Sequence, residues 1–252
     1  MGIVLSMLLL GLLLGFIGGT GGGFIIAILT LGFNIPIHTA LGTSLASMAF
    51  TCLSGIVSHY REGNVVLKAG IIVGLFGAAG AYGGSLVAAI IPKNLLHWFT
   101  GGTLIFFTFL LIYRLYLWKE SSSAKEAAAG AENNTLFYVK AVVLGIVSGI
   151  LSGAFGVGAG PFIQFGLIVF LGLSIRHSVG TAMVVMLPVA IGGGLGFNTG
   201  GYLDIVLLLQ ILAGTMTGSY IGAKFTKFAP KIVLKTAMVI TPAVAGMILL
   251  MG

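Results

Sequence analysis

Charge is what this sequence has least of. Of its 252 residues, 7% are Asp, Glu, Lys or Arg, against about 25% in ordinary soluble domains. Hydrophobic residues make up 58%, and apolar runs recur from residue 3 to residue 251. That balance excludes a soluble globular domain. The runs are continuous rather than alternating, which argues against an outer-membrane barrel. Cysteine is nearly absent: Cys52 stands alone, so there is no intrachain disulfide and no thiolate metal site. The acids are Glu62, Glu120, Glu126, Glu132 and Asp204, all in loops or at segment ends. With no carboxylate in mid-membrane, a cation pump or carboxylate proton relay is not expected. No intramembrane His–Glu or paired-Asp constellation exists either, which argues against a protease or other enzyme. His38, His59, His97 and His177 lie near segment ends without carboxylate partners, so no metal and no cofactor is expected.

The charge that is present is mostly positive, +7 net. In a membrane chain this reads as topology, with Lys and Arg held on the cytoplasmic side, rather than as nucleic-acid binding. Residues 1–14 have neither the basic n-region nor the Ala-x-Ala cleavage site of a signal peptide, and are expected to belong to the mature fold.

Glycine is abundant, at 41 residues, and it is patterned. Gly15-Phe-Ile-Gly-Gly-Thr-Gly-Gly-Gly-Phe24 separates two short apolar runs, residues 3–16 and 24–33. Ser152-Gly-Ala-Phe-Gly-Val-Gly-Ala-Gly-Pro-Phe162 repeats the arrangement between residues 136–151 and 161–173. Three longer apolar segments follow each break. The halves align at an offset of 137 through the breaks and 138 afterwards. Gly42-Thr43 then meets Gly180-Thr181, Gly63 meets Gly201, Tyr82 meets Tyr220, and Pro92-Lys93 meets Pro230-Lys231. Identities held at one spacing mark a duplication. The expected division is a first transmembrane repeat at 1–118, a polar cytoplasmic linker at 119–135, and a second repeat at 136–252.

Charge settles the segment count. Five segments per half put eleven Lys and Arg residues on one side and Lys93 alone on the other; four per half would split them six against six. The positive-inside rule selects five. An odd count makes the halves inverted copies, with both termini outside and the linker in the cytoplasm. The expected fold is therefore an all-α polytopic membrane protein of two inverted repeats. Each repeat has five hydrophobic segments, and the first two are short. Ten residues of helix reach about 15 Å, half of a hydrocarbon core of about 30 Å. The two short segments of each repeat are expected to form a half-crossing, glycine-broken hairpin whose turn lies near the midplane.

Paired glycine breaks at matching places point to a secondary transporter's binding site. The second arm of each hairpin starts at the break, so free N–H groups and a partial positive charge face the membrane centre. Two such ends make an anion site without a fixed cation. The candidate substrate-binding residues are Thr20, Gly21, Gly22, Gly23, Thr43, Ser44 and Ser47 in the first half. In the second they are Gly158, Ala159, Gly160, Gln164 and Thr181. His59, Tyr60 and Asn198 are gate candidates at segment ends. The competing reading is local: small residues also serve helix packing, and Ser and Thr bond back to their own helices. The partners expected are a small anion and the bilayer. An anion channel, or a carrier of a small carboxylate, is the alternative.

These motifs resemble the sulfite exporter TauE/SafE family. The resemblance rests on Gly19-Thr-Gly-Gly-Gly23 with Gly42-Thr-Ser44, on Gly156-Val-Gly-Ala-Gly160 with Gly180-Thr-Ala182, and on the Gly63 and Gly201 turns. It spans the chain apart from the linker, and the second copy departs from the pattern at Ala159, Pro161 and Ala182. The resemblance implies a bacterial inner-membrane transporter that exports sulfite, an organosulfonate or a related small anion.

Overall fold

A computed structural model describes residues 2–17, 22–113, 135–156, 160–225 and 230–251. Among them there is no strand. Lipid offers no partner for a backbone N–H or C=O, so each segment must satisfy its own as a helix. The helices of the first half are α1 (Gly2–Ile17), α2 (Gly22–Ala27), α3 (Ile37–Arg61), α4 (Leu67–Ala88) and α5 (Lys93–Ile112). One π-helical turn, Ile28–Gly32, extends α2. In the second half they are α6 (Thr135–Phe155), α7 (Gly160–Val169), α8 (Ile175–Thr199), α9 (Ile205–Phe225) and α10 (Lys231–Met251). α3, α4, α6, α8 and the Ile205–Gly222 part of α9 are long and apolar enough to cross a membrane.

Local chemistry sets the boundaries. Pro36 and Pro92 stand immediately before α3 and α5, where a backbone N–H would have had no intrahelical partner. The Ser174 hydroxyl accepts the His177 N–H at the start of α8. Asp204 Oδ1 accepts the Leu207 N–H at 3.0 Å and caps α9. Gly63 and Gly201, at φ +70° and +73°, turn α3 into α4 and α8 into α9. A Cβ is disfavoured at that φ.

Most of the packing is between halves. α1 lies along α9, and α4 lies along both α6 and α8. α3 packs on α8 and α9, and α5 packs on α10. Two pairs are glycine-faced and run parallel. In α6, the Cβ positions of Gly149 and Gly153 are taken up by the backbones of Gly77 and Ala81 in α4. In α1, those of Gly11 and Gly15 are taken up by the backbones of Thr215 and Ser219 in α9. Each contact in one pair recurs in the other with both residues 138 positions apart. The equivalent helices α3 and α8 are antiparallel. Gly42 meets Phe197 and Tyr202 at one end, and Gly55 meets Met183 at the other.

Two expectations change. First, the spacing is 138 throughout. α1 and α6 end at Ile17 and Phe155, and α2 and α7 begin at Gly22 and Gly160. No inserted residue is needed at the break, so Gly22 rather than Gly23 is the counterpart of Gly160. Glycine density in the breaks lets the sequence slide by one; backbone contacts on either side do not. Second, α6 has 21 residues, about 32 Å of helix. The first arm of the second hairpin is therefore of full crossing length. The second arms, at 22–32 and in α7, are short as expected, and so is α1, at 16 residues.

Candidate functional site

The glycine breaks lie between α1 and α2 and between α6 and α7. Thr20, Gly21, Gly158 and Ala159 fall outside the described residues. Gly22, Gly23 and Gly160 are buried in the first turns of α2 and α7. A Cβ on Gly23 would stand 2.6 Å from a Leu104 methyl and 3.4 Å from Ala245 Cβ. Gly156 opens the second break with φ +63°, and Leu41 of α3 fills the space where a Cβ would sit. The second break thus opens against Leu41 near the start of α3, whereas Gly15, before the first break, packs at the level of Gly55 and His59 near its end, so the two breaks do not meet at one point near the midplane as expected. Gln164, one turn into α7, is 2% exposed.

The hydroxyl candidates divide. Ser44 Oγ donates to the Leu41 carbonyl at 2.9 Å, and Ser47 Oγ to the Ser44 carbonyl at 2.7 Å, both within α3. Thr43 and Thr181 reach across the molecule instead. Thr43 Oγ1 accepts the Asp204 N–H at 3.2 Å, and Thr181 Oγ1 accepts the Val66 N–H at 2.9 Å. The glycines before them make room: Cβ atoms on Gly42 and Gly180 would press on the carbonyls of Tyr202 and Asn64. Each Gly-Thr pair therefore grips the turn made by the opposite half. Because α3 and α8 are antiparallel, the two grips lie at opposite ends of their crossing, about 30 Å apart along α3. The structure does not bring Thr43 and Thr181 into one shared site.

The gate candidates also separate. Tyr60 is 58% exposed and Asn198 is exposed, both on the outer surface of the bundle. His59 is fully buried, with neither ring nitrogen hydrogen-bonded. The other buried side-chain polar atoms without a partner, among the described residues, are His38 Nε2, Ser152 Oγ and Ser219 Oγ. The ring of His38 stacks on Tyr202 at 5.0 Å.

Sequence reading passed over Ser219, Ser152 and the α3–α9 seam. In that seam Thr51 Oγ1 meets Thr215 Oγ1 at 3.0 Å, and Ser54 Oγ donates to the Met216 carbonyl at 3.0 Å. Their signal was available, since Ser219 stands between Gly218 and Tyr220 in a mostly apolar segment, where a polar side chain needs a partner. A groove of about 420 Å³ lies between α5, α6 and α7, lined by Trp98, Phe106, Phe107, Leu151 and Phe162 among others. It holds none of the polar candidates. No group of three or more His, Cys, Asp or Glu among the described residues could hold a metal ion.

Comparison with known proteins now adds the family. The sulfite exporter TauE/SafE family matches residues 3–249. A probable membrane transporter protein of Bacillus subtilis, YdhB, is 54% identical over 98% of this chain and 99% of its own length. A probable membrane transporter protein of Methanocaldococcus jannaschii is 27% identical over 89% of this chain and 87% of its own. No solved structure matches. With a family match across nearly its whole length and a relative similar from end to end, this chain belongs to the sulfite exporter TauE/SafE family of membrane transporters.

Proposed function

We propose that this transporter exports a small sulfur-containing anion, sulfite or an organosulfonate, across the cytoplasmic membrane by alternating access. Its two halves, 1–118 and 136–252, are inverted repeats joined by a cytoplasmic linker at 119–135, and both termini lie outside. The observation that carries this reading is the exchange of contacts between halves. α1 runs parallel to α9 as α4 runs parallel to α6, while α3 runs antiparallel to its equivalent α8. Parallel partners must start on the same side, so an inverted plan accommodates both pairs. It also agrees with the eleven-to-one charge split.

The anion binds at the breaks, one toward each end of α3, with Gly156 against Leu41 and Gly15 beside His59. Gly22 and Gly160 begin short helices whose first N–H groups have no partner within the helix, and the dipole of each favours negative charge there. Gly23, Ser44, Ser47 and Gln164 stand as supporting contacts, with Thr20, Gly21, Gly158 and Ala159 in the breaks themselves. Thr43 and Thr181 hold the two halves to each other's turns. Two repeats that interlock by equivalent contacts can rock between an outward and an inward arrangement.

The test is uptake by the purified protein in liposomes. Saturable sulfite or sulfoacetate flux is expected, with loss of at least about tenfold, roughly 1.4 kcal/mol, in Gly22→Leu and Gly158→Leu. Unaltered flux in both variants would remove the site. Activity with acetate alone would keep the anion site and discard the sulfur substrate.

A further inference from the structure

His59 and Ser219 are buried polar residues with nothing to bond. Both are 0% exposed, and neither the His59 ring nitrogens nor Ser219 Oγ has a hydrogen-bond partner. Both border the backbone of Gly15, at the last turn of α1 before the first break. The Ser219 backbone fills the place of a Gly15 Cβ, and the His59 ring lies beside the Gly15 backbone and within the field of Glu62. One turn before His59, a Cβ on Gly55 would lie 3.5 Å from Ser219 Oγ. Three buried polar atoms are thus without a protein hydrogen-bond partner in one seam of α1, α3 and α9. Native proteins rarely leave such groups unsatisfied without a reason.

The other half supplies an internal control. The residues 138 positions from His59 and Ser219 are Phe197 and Ala81. They hold the corresponding positions along α8 and α4. Phe197 is fully buried in α8. The Ala81 backbone closes on Gly153 as that of Ser219 closes on Gly15, and Ala81 Cβ lies 3.7 Å from a Cβ on Gly193. A benzene ring and a methyl group therefore meet the packing demand. The nitrogens and the hydroxyl are additions made in one half only.

Their chemistry names the guest. A neutral imidazole offers one N–H and one lone pair, and a serine hydroxyl donates and accepts. A bare anion answers only the donors. An oxyanion arriving with one proton answers all of them. We infer that His59 and Ser219 bind the transported oxyanion together with one proton, held on the anion's oxygen or on the imidazole. The ligand class is a monovalent sulfur or carbon oxyanion plus its proton. This rests on the reading of the chain as an anion carrier.

The charged groups around the seam are few. Arg61 and Glu62 follow His59 at the end of α3, and α1 contributes none. On α9, the Lys224 ammonium lies 4.4 Å from the Tyr220 ring centroid. Arg176 and His177 open α8, with His177 Nδ1 2.7 Å from Ser174 Oγ.

Calorimetric titration of the full chain with sulfite and with methanesulfonate, each in two buffers of different ionisation heat, counts protons taken up per anion bound. At an alkaline pH where sulfite is the dianion, the wild type is expected to take up one proton with each anion. His59→Phe and Ser219→Ala install the other half's own residues and should fold. Both should bind at least about tenfold more weakly, the loss of one hydrogen bond to a charged group. His59→Gln, with a donor and an acceptor but no basic nitrogen, should bind methanesulfonate without proton uptake. Wild-type affinity in His59→Phe, or anion binding by the wild type without proton uptake, overturns the inference and leaves the carrier reading intact. Failure of the wild type to bind either anion overturns the sulfur-anion reading, and the inference with it.

Discussion

Two threonines do the same work at opposite ends of the α3–α8 crossing. Thr43 and Thr181 each accept a backbone N–H from the residue that precedes a helix of the other half, α9 or α4. Valine keeps the shape and removes the oxygen. Thr43→Val and Thr181→Val should each lower stability by about 1 kcal/mol, because a partly buried N–H then lacks its acceptor. The sites are far apart, so the double variant should show the sum. Thermal unfolding in detergent reads both effects, and an unchanged midpoint in either single variant would mean that the bond contributes nothing. The Gly-Thr pairs were legible in the sequence as duplicated motifs. Their partners were not, since they lie 161 and 115 residues away and a backbone N–H has no sequence signature. Ser44 and Ser47 followed the ordinary habit of serine in an apolar helix and bonded to their own backbone.

At the scale of elements, glycine serves two ends. In the breaks it interrupts helices; along α1, α4, α6 and α9 it brings helices into contact. Lipid provides no hydrophobic drive between helices, so close backbone approach supplies the attraction. Gly149→Leu would drive a side chain into the Gly77 backbone, which cannot rotate away as a side chain can. The expected loss is at least about 2 kcal/mol. Gly83→Leu, at a glycine of α4 with nothing within 4 Å of its Cβ position, should change stability by no more than about 0.5 kcal/mol. Equal melting of the two variants would contradict the glycine-faced pairing. Spacing in the sequence marked both uses alike, and this is why the break aligned one residue out of register. Only the facing backbone distinguishes a glycine that packs from one that turns.

For the whole molecule, the exchanged pairings imply orientation. The α3–α4 turn and the α8–α9 turn stand at opposite ends of the α3–α8 crossing, so they should open to opposite sides of the membrane. In a Cys52→Ser background, a cysteine at Asn198 should react with an impermeant maleimide in intact cells. A cysteine at Glu62 should react only after permeabilisation. Labelling of both from one side would sink the inverted arrangement.

Residue types alone settle that the chain is helical and lives in lipid, because a composition with 7% charge cannot be solvated as a globule. They also mark several helix ends, since Pro36, Pro92, Gly63, Gly201 and Asp204 act locally. The constant spacing of 138 was readable for the same reason: matching residues recur at it whatever they touch. Which residues meet was decided in space. Thr43 and Thr181 were drawn apart because α3 and α8 are antiparallel. Tyr60 was turned outward and His59 inward because adjacent residues on a helix point about 100° apart. The solitude of His59 and Ser219 exists only once α1, α3 and α9 have closed around them, for an unpaired buried atom is a property of its surroundings and not of its letter.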